Sequence, residues 1–141
     1  MPETDLKSVT LLIEGKMHPH AVARLKGRFT IVQGDADNAS ASGNIQAIAA
    51  AGKVDAALID SLPGLEIVSS FGVGYDHVDA KHAATRNVVV TNTPDVLTDE
   101  VADTAIGLLI NAVRELPKAE QWLRDGSWVG EGTYSLTNGK L

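Results

Sequence analysis

The chain has no cysteine, which excludes a disulfide framework, thiolate zinc sites and a cysteine nucleophile and is compatible with a reducing compartment. Positive charge is also scarce. Twelve Lys and Arg stand against 18 Asp and Glu, a net of −6, and no cluster builds a stripe able to neutralise nucleic-acid phosphates or hold an anionic membrane. No apolar run approaches the roughly 18 residues of a membrane span, and the opening MPETDLKSVT has neither a basic leader nor an apolar export core. The expectation is a soluble cytoplasmic protein with no nucleic-acid or membrane partner. At 141 residues it is about one domain in size and can bury a core unaided.

Three further absences narrow the chemistry. His18-Pro19-His20 lacks a third metal ligand at useful spacing, so a solvated turn is the better reading. Ser69 and Ser70 precede glycine without a G-x-S-x-G frame, which argues against a hydrolase. Gly72-Val73-Gly74 begins like G-x-G-x-x-G, yet the sixth position is His77, so the glycine that lets a helix pack closely on its strand is missing.

What is present centres on Leu65 to Asp79, LEIVSSFGVGYDHVD. Leu65, Ile67, Val68 and Phe71 fit a strand buried on both faces, breaking into the Gly72-Val73-Gly74 turn ahead of a helix. Without Cβ atoms at Gly72 and Gly74, a ligand can reach the main chain. Consecutive N–H groups near a helix start then make a seat for a small carboxylate or phosphate. The competing reading is a plain tight β-to-α turn. His77, next to the turn, can reach a bound anion or simply cap the surface, and Lys53 can pair with an acid at the sheet edge or stay solvated.

Along the chain, Ser8 to Ile13 reads as a strand, Pro19 to Gly27 as a helix and Phe29 to Val32 as a second strand. Gly34 to Gly43 allows only a brief, weakly packed helix. Ile45 to Ala50 is taken as a strand because Asp55 caps a helix whose Leu58, Ile59 and Leu62 share one face before Pro63-Gly64. After Leu65 to Phe71, a helix capped by Asp79 runs to Arg86, Asn87 takes a left-handed closing position, and Val88 to Thr91 is a fifth strand. This β-α alternation, with uniformly apolar strands, predicts a parallel sheet covered on both faces, with ligands beyond the strands' carboxyl ends. The loop Ala51-Gly52-Lys53 would lie there too.

The chain then changes character. Thr98 reads as an N-cap, followed by Asp99 and Glu100 at the positive helix end, and the helix continues to about Leu116. Asp103, Gly107, Asn111 and Arg114 draw one narrow polar line, and most other positions are apolar, so burial on more than one side is expected from a second domain or subunit. Pro117 opens another helix to Asp125, and Gly130 onward reads as an extended arm.

SSFGVGYDHVDA (Ser69 to Ala80), TNTPDVLTDEVADTAIGLLINAVREL (Thr91 to Leu116) and WLRDGSW (Trp122 to Trp128) together resemble the N-terminal part of the D-2-hydroxyacid dehydrogenases, close to the glyoxylate/hydroxypyruvate reductase branch. The resemblance implies an α/β fold: a flavodoxin-like parallel sheet with helices on both faces at 1–97, interdomain and dimerisation helices at 98–129, and an arm at 130–141. It implies an NAD- or NADP-dependent oxidoreductase, a homodimer, reducing a small 2-oxoacid such as glyoxylate or hydroxypyruvate. On the matching positions, Val73 and Gly74, with Gly72, hold the substrate carboxylate, and Leu97 and Thr98 border the nicotinamide. Trp128 is either an interface anchor or a packed tryptophan. The family's dinucleotide fingerprint and its catalytic Arg, Glu and His find no match in these 141 residues, so part of a longer enzyme, inactive alone, is expected. The rival from another class is a stand-alone module that binds small acids or dimerises without catalysis.

Overall fold

Five parallel strands in the order β2-β1-β3-β4-β5 form the sheet: β1 (Thr10–Glu14), β2 (Thr30–Gln33), β3 (Ala47–Ala50), β4 (Ile67–Ser70) and β5 (Val89–Thr91). This is the flavodoxin-like order. The computed structural model describes residues 6–33, 44–132 and 134, and the expected brief helix at Gly34 to Gly43 lies outside them. The chain divides into two compact units, Met1–Val96 and Leu97–Leu141.

In the first unit, short-range chemistry sets each helix. Helix α1 (Pro19–Lys26) starts with proline, whose missing N–H costs nothing there, and His18 Nδ1 accepts from the His20 N–H at 3.2 Å. Helix α2 (Ala56–Ser61) is capped by Asp55, which accepts from Leu58 N–H at 3.1 Å. Helix α3 (Ala80–Thr85) is capped by Asp79, accepting from His82 N–H at 2.9 Å, and Asn87 follows with φ +58°. His18 thus caps the helix that contains His20, and the described residues contain no group of three that could hold a metal ion.

Apolar layers pack on both faces of the sheet. Leu12, Ile48 and Val68 meet Leu58, Ile59 and Leu62 of the α2 region and Ala83 of α3 on one face. Leu11, Ile13, Ala47 and Ala49 meet Val22 and Leu25 of α1, with Met17 and Phe29, on the other. All four β3 residues are buried, as a central parallel strand requires. Leu12 and Ile48 are wholly buried, each contributing about 1.5–3 kcal/mol.

Phe71 departs from the expectation. Strand β4 ends at Ser70, and Phe71, the next residue, is 57% exposed instead of buried in the strand. Its N–H still donates to Ala50 O at 2.9 Å, so the ladder carries the main chain one residue further than the core carries side chains. The helix expected from an Asp79 cap is found at Ala80–Thr85, with Arg86 at its closing position.

The second unit contains α4 (Thr98–Arg114), α5 (Leu116–Arg124) and α6 (Ser127–Glu131). Thr98 is the first helical residue of α4 and not its cap: Leu97 holds the cap position, and no side chain bonds there. Asp99 and Glu100 do occupy the first turn. Glu115, at φ +52°, ends α4 before Leu116. No residue of α4 is buried, and Val101, Ile106 and Leu108 are each more than half exposed. Gly130 and Glu131 belong to α6, so that part of the expected arm is helical. Trp122 meets the edges of Trp128 and Tyr134, with ring centroids 6.2 and 5.8 Å apart. Among the described residues no helix is long and apolar enough to cross a membrane.

Candidate functional site

The turn at Gly72 to Gly74 begins one residue, Phe71, beyond the end of β4, placing it at the carboxyl edge of the sheet where open parallel sheets bind ligands. Its carbonyls are held from one side. Thr93 N–H donates to Gly72 O at 3.1 Å and Asn92 Nδ2 to Val73 O at 2.7 Å, both from the segment after β5. Thr93 Oγ1 also donates to Phe71 O at 3.2 Å.

A trans peptide points its N–H opposite to the carbonyl of the same plane. Pinning Gly72 O and Val73 O on residues 92 and 93 therefore turns the N–H groups of Val73 and Gly74 to the other side, together. Neither amide has a hydrogen-bond partner among the described residues. Both residues are exposed. Two adjacent, unpartnered donors on one side of the turn suit the two oxygens of a carboxylate.

Gly72 plays a different part. Its N–H donates inward to Ser70 Oγ at 3.2 Å, so the three donors anticipated from the sequence narrow to two. Neither Gly72 nor Gly74 has positive φ, and glycine serves here for space. A Cβ on Gly72 would lie 3.1 Å from Gly74 O and press on the turn, whereas a Cβ on Gly74 would meet only Asp76 Oδ2, at 3.4 Å. The absence of a side chain at Gly74 thus keeps the approach to the amides clear.

The neighbouring loop is not a second seat. Ala51 and Gly52 both give their N–H groups to Glu14 O, at 2.8 and 3.0 Å. Lys53 pairs with Asp55 at 3.1 Å, and Asp55 is held below the usual carboxylate range, first by the Leu58 N–H and then by Lys53. The seat's positive character is therefore that of the main chain, opposed by the nearby Asp76. His77 Nε2 lies 3.3 Å from Ser70 Oγ, behind the turn. On the far side of α2, Asp60 is bonded by His82 Nε2 at 2.9 Å and by Arg86, with its pKa lowered chiefly by the His82 bond.

Sequence reasoning found the turn and missed its supports. In sequence Ser70 stands out only as a nucleophile without its frame, and Asn92 and Thr93 only as part of a longer motif. A readable signal existed: Asn and Thr immediately after a strand of a parallel sheet stand at the same edge as the turn after the neighbouring strand.

Neither the glycine turn nor the start of α4 offers a dinucleotide a phosphate seat. No helix starts at the glycine turn, and Asp99 and Glu100 in the first turn of α4 would repel a pyrophosphate. Leu97 and Thr98, in the second unit, offer only an exposed edge at that helix start.

A family model described as the D-isomer specific 2-hydroxyacid dehydrogenase catalytic domain matches residues 11–138. Over 83 residues the chain is 55% identical to hydroxyphenylpyruvate reductase from Plectranthus scutellarioides and 49% identical to glyoxylate/hydroxypyruvate reductase A from Arabidopsis thaliana. Each alignment covers 59% of this chain and 26% of the relative. The crystal structure of an NADPH-dependent glyoxylate/hydroxypyruvate reductase from Sinorhizobium meliloti, in complex with NADP and malonate, matches with a TM-score of 0.81 and 51% identity over 94% of this chain. The match spans 43% of that chain's length. The protein belongs to the D-isomer specific 2-hydroxyacid dehydrogenase family.

Proposed function

We propose that this chain supplies the carboxylate seat of an NADPH-using reductase that converts a small 2-oxoacid, glyoxylate or hydroxypyruvate, to the D-2-hydroxy acid. The observation that carries this reading is the pair of outward, unpartnered amides at Val73 and Gly74 on the carboxyl edge of the sheet. The names of the Arabidopsis and Sinorhizobium relatives support the substrate class, and the NADP in the latter structure supports that cofactor over NAD. Val73 and Gly74 donate to the carboxylate, Gly72 shapes the turn, and Leu97 and Thr98 border the nicotinamide.

Hydride transfer needs a proton donor and an electrophilic group at the keto oxygen. Among the described residues no hydrogen bond or ion pair brings an arginine to the turn, so the 141-residue chain binds the acid without turning it over. The exposed apolar residues of α4 support a homodimer, and a chain without cysteine is compatible with the reducing cytoplasmic setting proposed for it.

The reading is tested by fusing this chain to the remainder of the Sinorhizobium reductase and following NADPH oxidation with glyoxylate and hydroxypyruvate. Turnover by the fusion, with none by the chain alone, is the expected result. A folded fusion without turnover, beside a chain that binds glyoxylate saturably, would instead favour a stand-alone acid-binding module.

A further inference from the structure

Ser70 is the one buried polar residue among the described residues, at 1% exposure, and it sits directly under the glycine turn. A hydroxyl in such a place costs free energy unless its bonds are made. Here Oγ has three neighbours: it accepts from Gly72 N–H at 3.2 Å, it lies 3.4 Å from Gly74 O, and His77 Nε2 is 3.3 Å away. A serine hydroxyl has one hydrogen to give and two lone pairs to fill. Gly74 O can only accept, so the hydroxyl hydrogen goes there. His77 must then donate from Nε2, which assigns that nitrogen the proton. With this arrangement Oγ is saturated, and the turn is held at both ends from beneath: at the Gly72 N–H and at the Gly74 carbonyl.

The support from below complements the one from the side. Residues 92 and 93 fix the carbonyls of Gly72 and Val73, while Ser70 fixes the N–H that opens the turn and the carbonyl that closes it. Between these fixed points lie the two amides left free. We infer that Ser70 and His77 are positioning residues for the carboxylate seat: His77, donating from Nε2 into Ser70 Oγ, locks the turn with the Val73 and Gly74 amides outward. This rests on the seat assigned under the proposed function. Neither residue touches the acid, and the oxygen of Ser70 acts as a structural hub with no nucleophilic part.

The experiment is a glyoxylate titration of the full 141-residue chain by amide NMR, with thermal unfolding measured in parallel and the protonated ring nitrogen of His77 identified by long-range nitrogen–proton correlation. Ser70→Ala keeps the shape and removes the hub, His77→Leu removes the donor, and His77→Gln keeps an N–H donor at comparable reach. The expected result is a proton on Nε2 in the native chain, a Kd for glyoxylate raised about tenfold in Ser70→Ala and His77→Leu, and substantial recovery in His77→Gln. A merely structural role would lower the unfolding temperature and leave the Kd of the folded fraction unchanged. Native binding at Val73 and Gly74 with unaltered Kd in both variants, or with Nε2 unprotonated, would overturn the positioning role and leave the seat intact. A native chain whose Val73 and Gly74 amides do not respond to glyoxylate would overturn the seat itself, and the positioning role with it.

Discussion

Replacing Asn92 with alanine removes the 2.7 Å bond from its Nδ2 to Val73 O, the contact that fixes the peptide plane carrying the Gly74 N–H. The bond is exposed, so its net worth is about 1 kcal/mol, a bias of roughly fivefold toward the outward plane. Because the apparent dissociation constant is the intrinsic one divided by the competent fraction, loss of that bias should weaken small-carboxylate binding about twofold where the outward plane dominates the native turn, with about fivefold as the upper limit. Stability should change by less than about 1 kcal/mol, since no buried group is left unpaired. Thr93→Val is the internal control. It deletes the hydroxyl bond to Phe71 O but keeps the main-chain donor to Gly72 O, so binding should stay within about twofold of native. Calorimetric or NMR titration with glyoxylate reads both. An Asn92→Ala chain binding as tightly as the native one, or a Thr93→Val chain losing more than the Asn92→Ala chain, would refute the claim that pinned carbonyls orient the seat.

Other outcomes follow from the same geometry. Asp76→Asn should tighten carboxylate binding about threefold at low salt: at roughly 6 Å in a water-exposed setting two like charges repel by about 0.7 kcal/mol, and the gain should fade as salt rises. Gly15→Ala should destabilise the fold by roughly 2–4 kcal/mol in urea titration, because Gly15 has φ +84° and an added Cβ would fall 2.4 Å from Gly52 N. Asp60 has a lowered folded pKa, so the unfolded chain takes up more protons in acid. Its stabilisation is present above the unfolded value near 3.9 and is lost as pH falls through the folded value. An Asp60→Asn chain should accordingly show a shallower fall in unfolding temperature below about pH 4, and an unchanged acid limb would count against the His82–Asp60–Arg86 cluster.

Much of the first unit could be read from local signals because those signals are self-contained. Asp55 and Asp79 cap helices with their own side chains, Pro19 and Gly27 bracket α1, and Ala47–Ala50 is apolar throughout because both of its faces are covered. The differences fall at the ends of elements and where a neighbour distant in sequence decides. Phe71 looks like one more buried strand residue until the end of β4 at Ser70 is known. Thr98 has the side chain of a cap, but its backbone is already helical, and the cap falls on Leu97 one residue earlier. Helix α6 was hidden by Gly130, a poor helix former within a segment where Trp128 leans on Trp122. The position of the seat was legible because two glycines after a strand are a local fact. Its orientation was not, because that is set by Asn92 and Thr93, which reach it only once β5 lies beside β4.

The most direct measurement is a glyoxylate titration of the isotope-labelled chain that follows every backbone amide. The account requires the Val73 and Gly74 amide protons to shift downfield together and saturably, more than any other pair, with Gly72 comparatively still behind its bond to Ser70. Saturable binding that leaves Val73 and Gly74 unmoved and perturbs a different set of amides would contradict it.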